Sequence, residues 1–155
     1  YKEQLSKRNK AETGIRYEWY AMQRWGAKYR EDFSKPKIMY SEIVRSPQFY
    51  LDEQGQFFPE ATTFILTGEH LRYLYNIFHS KVFTYFFKHF YAGGGLGEDG
   101  YRYKKVFFEK LPIPKMIGTP NQQVIERANE NINIEKNCLL LFNFSEDEIK
   151  EIERD

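Results

Sequence analysis

A single cysteine, Cys138, rules out an internal disulfide and fits a reducing compartment, so the expected location is the cytoplasm. No apolar run approaches the length of a membrane span, and no signal peptide is visible. The three histidines, His70, His79 and His89, stand nine and ten residues apart. That spacing never puts two imidazoles on one helix face, and Cys138 has no motif partner, so no metal site is expected. No G-x-S-x-G nucleophile turn occurs, and no Asn-Pro-Pro-aromatic element that would hold a base for amino methylation. Gly95–Gly100 matches G-x-G-x-x-G in letters only. It follows a helical pattern and precedes a strand pattern, the reverse of a dinucleotide site, and Glu98 and Asp99 would repel phosphate. Taken by itself, the stretch is expected to be non-catalytic and to hold no cofactor.

The 155 residues are enough for one domain with a real core. The first residue is Tyr1 rather than methionine, from which a piece of a longer chain is expected. The net charge of +1 conceals a segregation. Residues 1–45 carry eleven basic against six acidic side chains, and residues 101–115 carry five against one. Residues 46–100 carry three against six, and residues 116–155 four against nine. Two separated basic stretches could be folded into one positive face, which is what phosphate binding requires. Aromatic residues make up 18% of the chain. Many must be core, but rings among cations can also stack on bases.

The organising stretch is KPKIMYSEIVR, Lys35–Arg45, preceded by the aromatic and basic run Arg16–Asp32. Residues 1–14 are polar and aperiodic, read as a linker or a frayed helix, with a single domain over 15–155. Around Tyr17–Arg24 the spacing fits a short helix or turn. Lys37–Val44 alternates as a strand, and Gln48–Asp52, the Asp52–Gly55 turn and Gln56–Phe58 read as a hairpin. Thr62–Leu66 is β-branched and apolar, as in a more buried strand. Glu69–Tyr91 lacks glycine and proline and repeats apolar residues at steps of three and four, which predicts one long buried helix capped by Thr67 or Gly68. Tyr101–Glu109 is a strand candidate, Gln122–Asn131 is weakly helical, and Ile134–Phe142 is a helix or a strand. Ser145–Arg154 opens with a capping box, Ser145 and Glu148. The fold class expected is α+β: a twisted, mostly antiparallel sheet, a long helix at about 69–91 and C-terminal helical segments.

The candidate DNA-binding residues are Arg16, Tyr20, Gln23, Arg24 and Arg30, then Lys35, Lys37 and Arg45, then Arg102, Tyr103, Lys104 and Lys105. Trp19 stands among the first group. Cations hold phosphates, rings stack, and Arg or Gln makes two-point contacts to base edges. On a continuous strand, Arg102 and Lys104 would share one face. Taken singly, each of these residues reads first as part of the solvated surface; it is the set that points to binding. Lys35, Lys37 and Arg45 are expected to position DNA backbone, with base reading in neighbouring loops.

The ordered series WYAMQR (Trp19–Arg24), KPKIMYSEIV (Lys35–Val44), FYLDEQGQFF (Phe49–Phe58), TTFILTG (Thr62–Gly68), YLYNIFHSKVFTYFF (Tyr73–Phe87), KLPIP (Lys110–Pro114) and FSEDEIKEIE (Phe144–Glu153) resembles the TaqI-like C-terminal specificity domain of adenine-specific DNA methyltransferases and combined restriction–modification enzymes. The resemblance implies a target recognition domain that holds double-stranded DNA against a methyltransferase domain N-terminal to it. That domain would flip an adenine and methylate it from S-adenosylmethionine, and a fused nuclease with Mg²⁺ would belong to the same parent chain. Where the family usually shows Leu-Asn-Ser-Lys, this chain has Ile77-Phe78-His79-Ser80-Lys81, from which only a packing adjustment is expected. The competing expectation is a protein-interaction module that dimerises or packs on a catalytic subunit.

Overall fold

The central strand is β1, Lys37–Ser41. A computed structural model describes residues 1–12, 18–20, 29–60, 62–91, 101–114, 126–127, 130 and 134–154. The chain divides into two compact units, Tyr1–Asp32 and Phe33–Asp155. In the first, Lys2–Glu12 forms helix α1, and Lys7 Nζ pairs with the Glu3 carboxylate at 2.8 Å, one turn away.

In the second unit β1 lies between β3, Phe49–Asp52, and β4, Thr63–Leu66, and pairs antiparallel with both. Alternation sends Ile38 and Tyr40 into the core. A second small ladder joins β2, Ile43–Val44, to β5, Tyr101–Arg102. The predicted hairpin return at Gln56–Phe58 is absent: those residues are not a strand, and the partner of β3 is β1. Likewise β4 is a half-buried outer strand of the three rather than a more buried one, because β1 takes the middle. Gly55 does supply the positive φ, at 66°, and a Cβ there would meet the Ser34 carbonyl oxygen at 2.2 Å.

The helical segment after the sheet comes in two helices, α2, Leu71–Phe78, and α3, Lys81–Phe86, the latter running into a π-type turn at Phe87–Tyr91. Neither Thr67 nor Gly68 caps α2. The N-cap is His70, whose left-handed backbone (φ 57°) makes no side-chain cap bond. The break comes from Ser80, not from glycine or proline. Its hydroxyl donates to the Ile77 carbonyl at 2.7 Å and accepts from the Phe83 N–H at 3.2 Å. One side chain thus closes α2 and caps α3. Ser80→Ala is expected to cost about 1–2 kcal/mol, read as a shift in the denaturant midpoint at unchanged slope.

Tyr101–Glu109 is not one strand. It leaves β5 after two residues, and Lys105–Phe108 forms the short helix α4. Gln122–Asn131 lies largely outside the described residues, as do the glycine-rich residues 92–100. Ile134–Phe142 is helix α5 and Glu146–Arg154 is helix α6. The capping box forms as the sequence predicts: the Ser145 N–H and hydroxyl both donate to Glu148 Oε2 at 2.7 Å, and the Glu148 N–H donates to Ser145 Oγ at 3.4 Å. These bonds, the backbone one foremost, lower the pKa of Glu148. Two polar ties hold the C-terminal helices to α3. Glu135 accepts from the Lys81 N–H at 2.9 Å, and the Tyr85 hydroxyl donates to Glu151 at 2.7 Å. The architecture is α+β, an antiparallel sheet with helices packed on one face.

Aromatic rings build the core. Phe49 packs on Phe78 with centroids 5.0 Å apart, Tyr40 stacks on Phe108 at 4.9 Å, and Phe87 meets Tyr103 at 4.4 Å. Burial, then Glu109 and Glu42, pushes the Tyr40 hydroxyl up to about 12. The Cys138 thiol is buried too, and burial pushes it up to about 11, the nearby Ser80 side chain offsetting this only in part. A thiol reagent is expected to label Cys138 only on unfolding; fast labelling of the native protein would contradict this packing.

Candidate nucleic-acid interface

Two predicted residues belong to the interior. Lys37 is 0% exposed, and its ammonium donates to Asp52 Oδ2 at 2.6 Å, to the Phe33 carbonyl at 2.7 Å and to the Lys35 carbonyl at 3.4 Å. All three N–H donors are used, so Lys37 cannot hold a phosphate. Asp52 completes the knot by accepting from the N–H groups of Gln56 at 3.1 Å and Phe57 at 2.9 Å. Burial raises the Asp52 pKa. The bonds from Lys37, Phe57 and Gln56, with the Lys37 charge, outweigh it and hold the carboxyl well below the usual range. In β1 Lys37 lies on the face opposite the buried Ile38 and Tyr40, and residues 33–35 and 55–57 fold over it. Tyr103, the second, is also 0% exposed and sits inside the aromatic core.

The other predicted cations fare differently. Arg102 is half-buried and pairs with Glu42 at 3.0 Å. Lys104 does not share a strand face with it, because the strand has ended, and its Nζ lies 5.9 Å from the Phe107 ring. Lys105 is exposed and pairs with Glu109 at 3.5 Å along α4. Lys35 and Arg45 are exposed. In the first unit Tyr20 and Arg30 are exposed, and Trp19 meets Tyr20 edge-on at 5.6 Å with Lys2 Nζ 5.9 Å from its ring. Arg16, Gln23 and Arg24 lie outside the described residues.

What the structure adds is a trough. A groove of about 460 Å³ opens beside β1 and β3, lined by residues of both sheet faces, Tyr40 and Phe49 of the core among them, and by His79. Its apolar lining includes Met39 and Tyr50, which are opposite each other in the β1–β3 register. Its hydrogen-bonding groups are Ser41 and Thr63, paired across β1 and β4, and Gln48. At Pro47 and His79 this groove adjoins a second of about 290 Å³, where Lys81, Thr84 and Lys88 line the wall. No aspartate or glutamate lines either groove among the described residues. His79 Nδ1 lies 2.9 Å from the Tyr75 carbonyl, which can only accept, so Nδ1 carries a proton and Nε2 is the acceptor of the neutral ring.

The trough residues were within reach of the sequence. Lys81, Thr84 and Lys88 stand at steps of three and four, which aligns them on one side of a helical segment. Gln48 follows Pro47 at the start of a strand, with Arg45 three residues before it. Concentration on the two net-basic stretches passed over both, because residues 46–100 are acidic overall. Among the described residues no group of three or more His, Cys, Asp or Glu could hold a metal ion, and no helix is long and apolar enough to cross a membrane. No family model and no curated protein matches the chain.

Proposed function

We propose that this chain is the duplex-DNA recognition part of a restriction–modification enzyme, and that it positions a target adenine for N6 methylation by a domain N-terminal to it. The observation that carries the reading is the trough: a hydrogen-bonding groove, with no carboxylate in its lining among the described residues, that continues into a groove walled by Lys81 and Lys88. Such a sequence of surfaces suits a base edge followed by its phosphate backbone. The ordered resemblance from Trp19 to Glu153 supports the same reading, and so does the α+β frame. S-adenosylmethionine, and Mg²⁺ if a nuclease is fused, would be held by the parent's other domains. Sequencing of methylated adenine in DNA from cells that make the full-length protein tests the proposal. One recurring sequence context is expected; methylation absent or without context would refute it.

The second reading is a protein-interaction module, favoured by exposed apolar side chains away from the trough, Phe90 at 65% and Leu140 at 49%. Light scattering decides between them. A stable dimer with no affinity for DNA would replace the first reading with the second.

A further inference from the structure

We propose that Gln48 reads a base edge in the major groove and that the groove beside β1 and β3 is the reading surface, an assignment that rests on the DNA-recognition reading above. Base reading needs a side chain that is exposed, held on a rigid element, and not already satisfied by the protein. Gln48 meets each condition. It is exposed and immediately precedes β3, and its amide makes no hydrogen bond among the described residues. Glutamine presents one donor and one acceptor side by side, the pattern that matches adenine N6 and N7.

The surroundings fit an edge-on base pair. Met39 and Tyr50 offer apolar surface of the kind a thymine methyl prefers, while the Ser41 and Thr63 hydroxyls can donate or accept as the neighbouring pair demands. Asp52, at the other end of β3, is buried and neutralised by Lys37, so it adds no free negative charge to the sheet. Tyr50 is anchored edge-on against Phe57 at 5.4 Å, which holds its ring as a fixed wall. Lys81 and Lys88, in the groove that adjoins at Pro47 and His79, place cations beside the reading surface, and Arg45 is exposed three residues before Gln48.

Anisotropy titrations of the full-length enzyme test the assignment, using duplexes that differ from the preferred one by a single base pair. Gln48→Ala should weaken binding to the preferred duplex by about tenfold or more and erase discrimination at one position. It should leave binding to other duplexes and the salt dependence unchanged, and the exposed neighbour Ser46→Ala should alter nothing. An equal loss on every duplex, or no loss, would overturn the role of Gln48 while the wild type's selectivity stands. A wild type without duplex preference, or one for which single-stranded RNA competes better than duplex DNA, would overturn the DNA reading along with it.

Discussion

Lys37→Met lowers the melting temperature by roughly 10 °C or more, because it strands a buried Asp52 with no counter-charge. The side chains match in length, so little packing is lost and the effect isolates the charge. Adding Asp52→Asn to Lys37→Met should recover part of the loss. The amide oxygen can still accept from Gln56 or Phe57 but carries no charge to leave unpaired. The pH dependence follows from the direction of the Asp52 shift. Its folded pKa lies below the ordinary value of 3.8, so its stabilisation is complete above about pH 4 and is lost as pH falls toward the folded value. Lys37→Met should flatten that acid limb. Calorimetry from pH 7 downwards checks both, and a Lys37→Met protein melting within a degree or two of wild type would contradict the buried pair. The same result bears on function. The knot ties residues 33–35 to residues 55–57, next to Tyr50 and its partner Phe57, so its loss should also weaken DNA binding without altering preference.

Lys81→Ala combined with Lys88→Ala is the second large effect. If each lysine neutralises one phosphate, the slope of log affinity against log salt falls by roughly 2, and affinity drops for all duplexes alike. The preferred sequence should not change. Selectivity lost together with affinity would mean that these lysines touch bases, and an unchanged slope would remove the basic groove from the interface. Lys35 and Arg45 remain exposed on the same unit and are expected to act in the same uniform manner when replaced.

Much of the frame was readable in the sequence because local patterns agreed with burial. Ile38 and Tyr40 alternate and are buried, Ser145 and Glu148 form the box their spacing predicts, and Gly55 adopts its positive φ. Three features escaped for separable reasons. Ser80 breaks a helix that contains no glycine or proline, since a hydroxyl competes with the backbone for the same hydrogen bonds. Tyr101–Glu109 alternates well enough for a strand, yet the aromatic core claims Tyr103 and Phe108 through a bend and a helical turn. Lys37 is the instructive case. Its charge, flanked by Lys35 and Arg45, suggested a contact to DNA backbone, but the adjoining residues 33–35 and the loop at 55–57 close over it and Asp52 takes its charge, which a reading of charge along the chain does not report. The site shifted for a related reason. Net charge summed over long stretches favoured the basic segments, whereas the trough is defined by which of the described side chains fold together, with no carboxylate among those that line it.

The claim that most needs testing is that this chain selects among duplex sequences. Fluorescence anisotropy of the protein against a panel of duplexes, at two salt concentrations, measures it directly. The account predicts tight binding to one sequence, and a steep fall in affinity with salt for all of them. Equal affinity across the panel, or none at any salt, would contradict it.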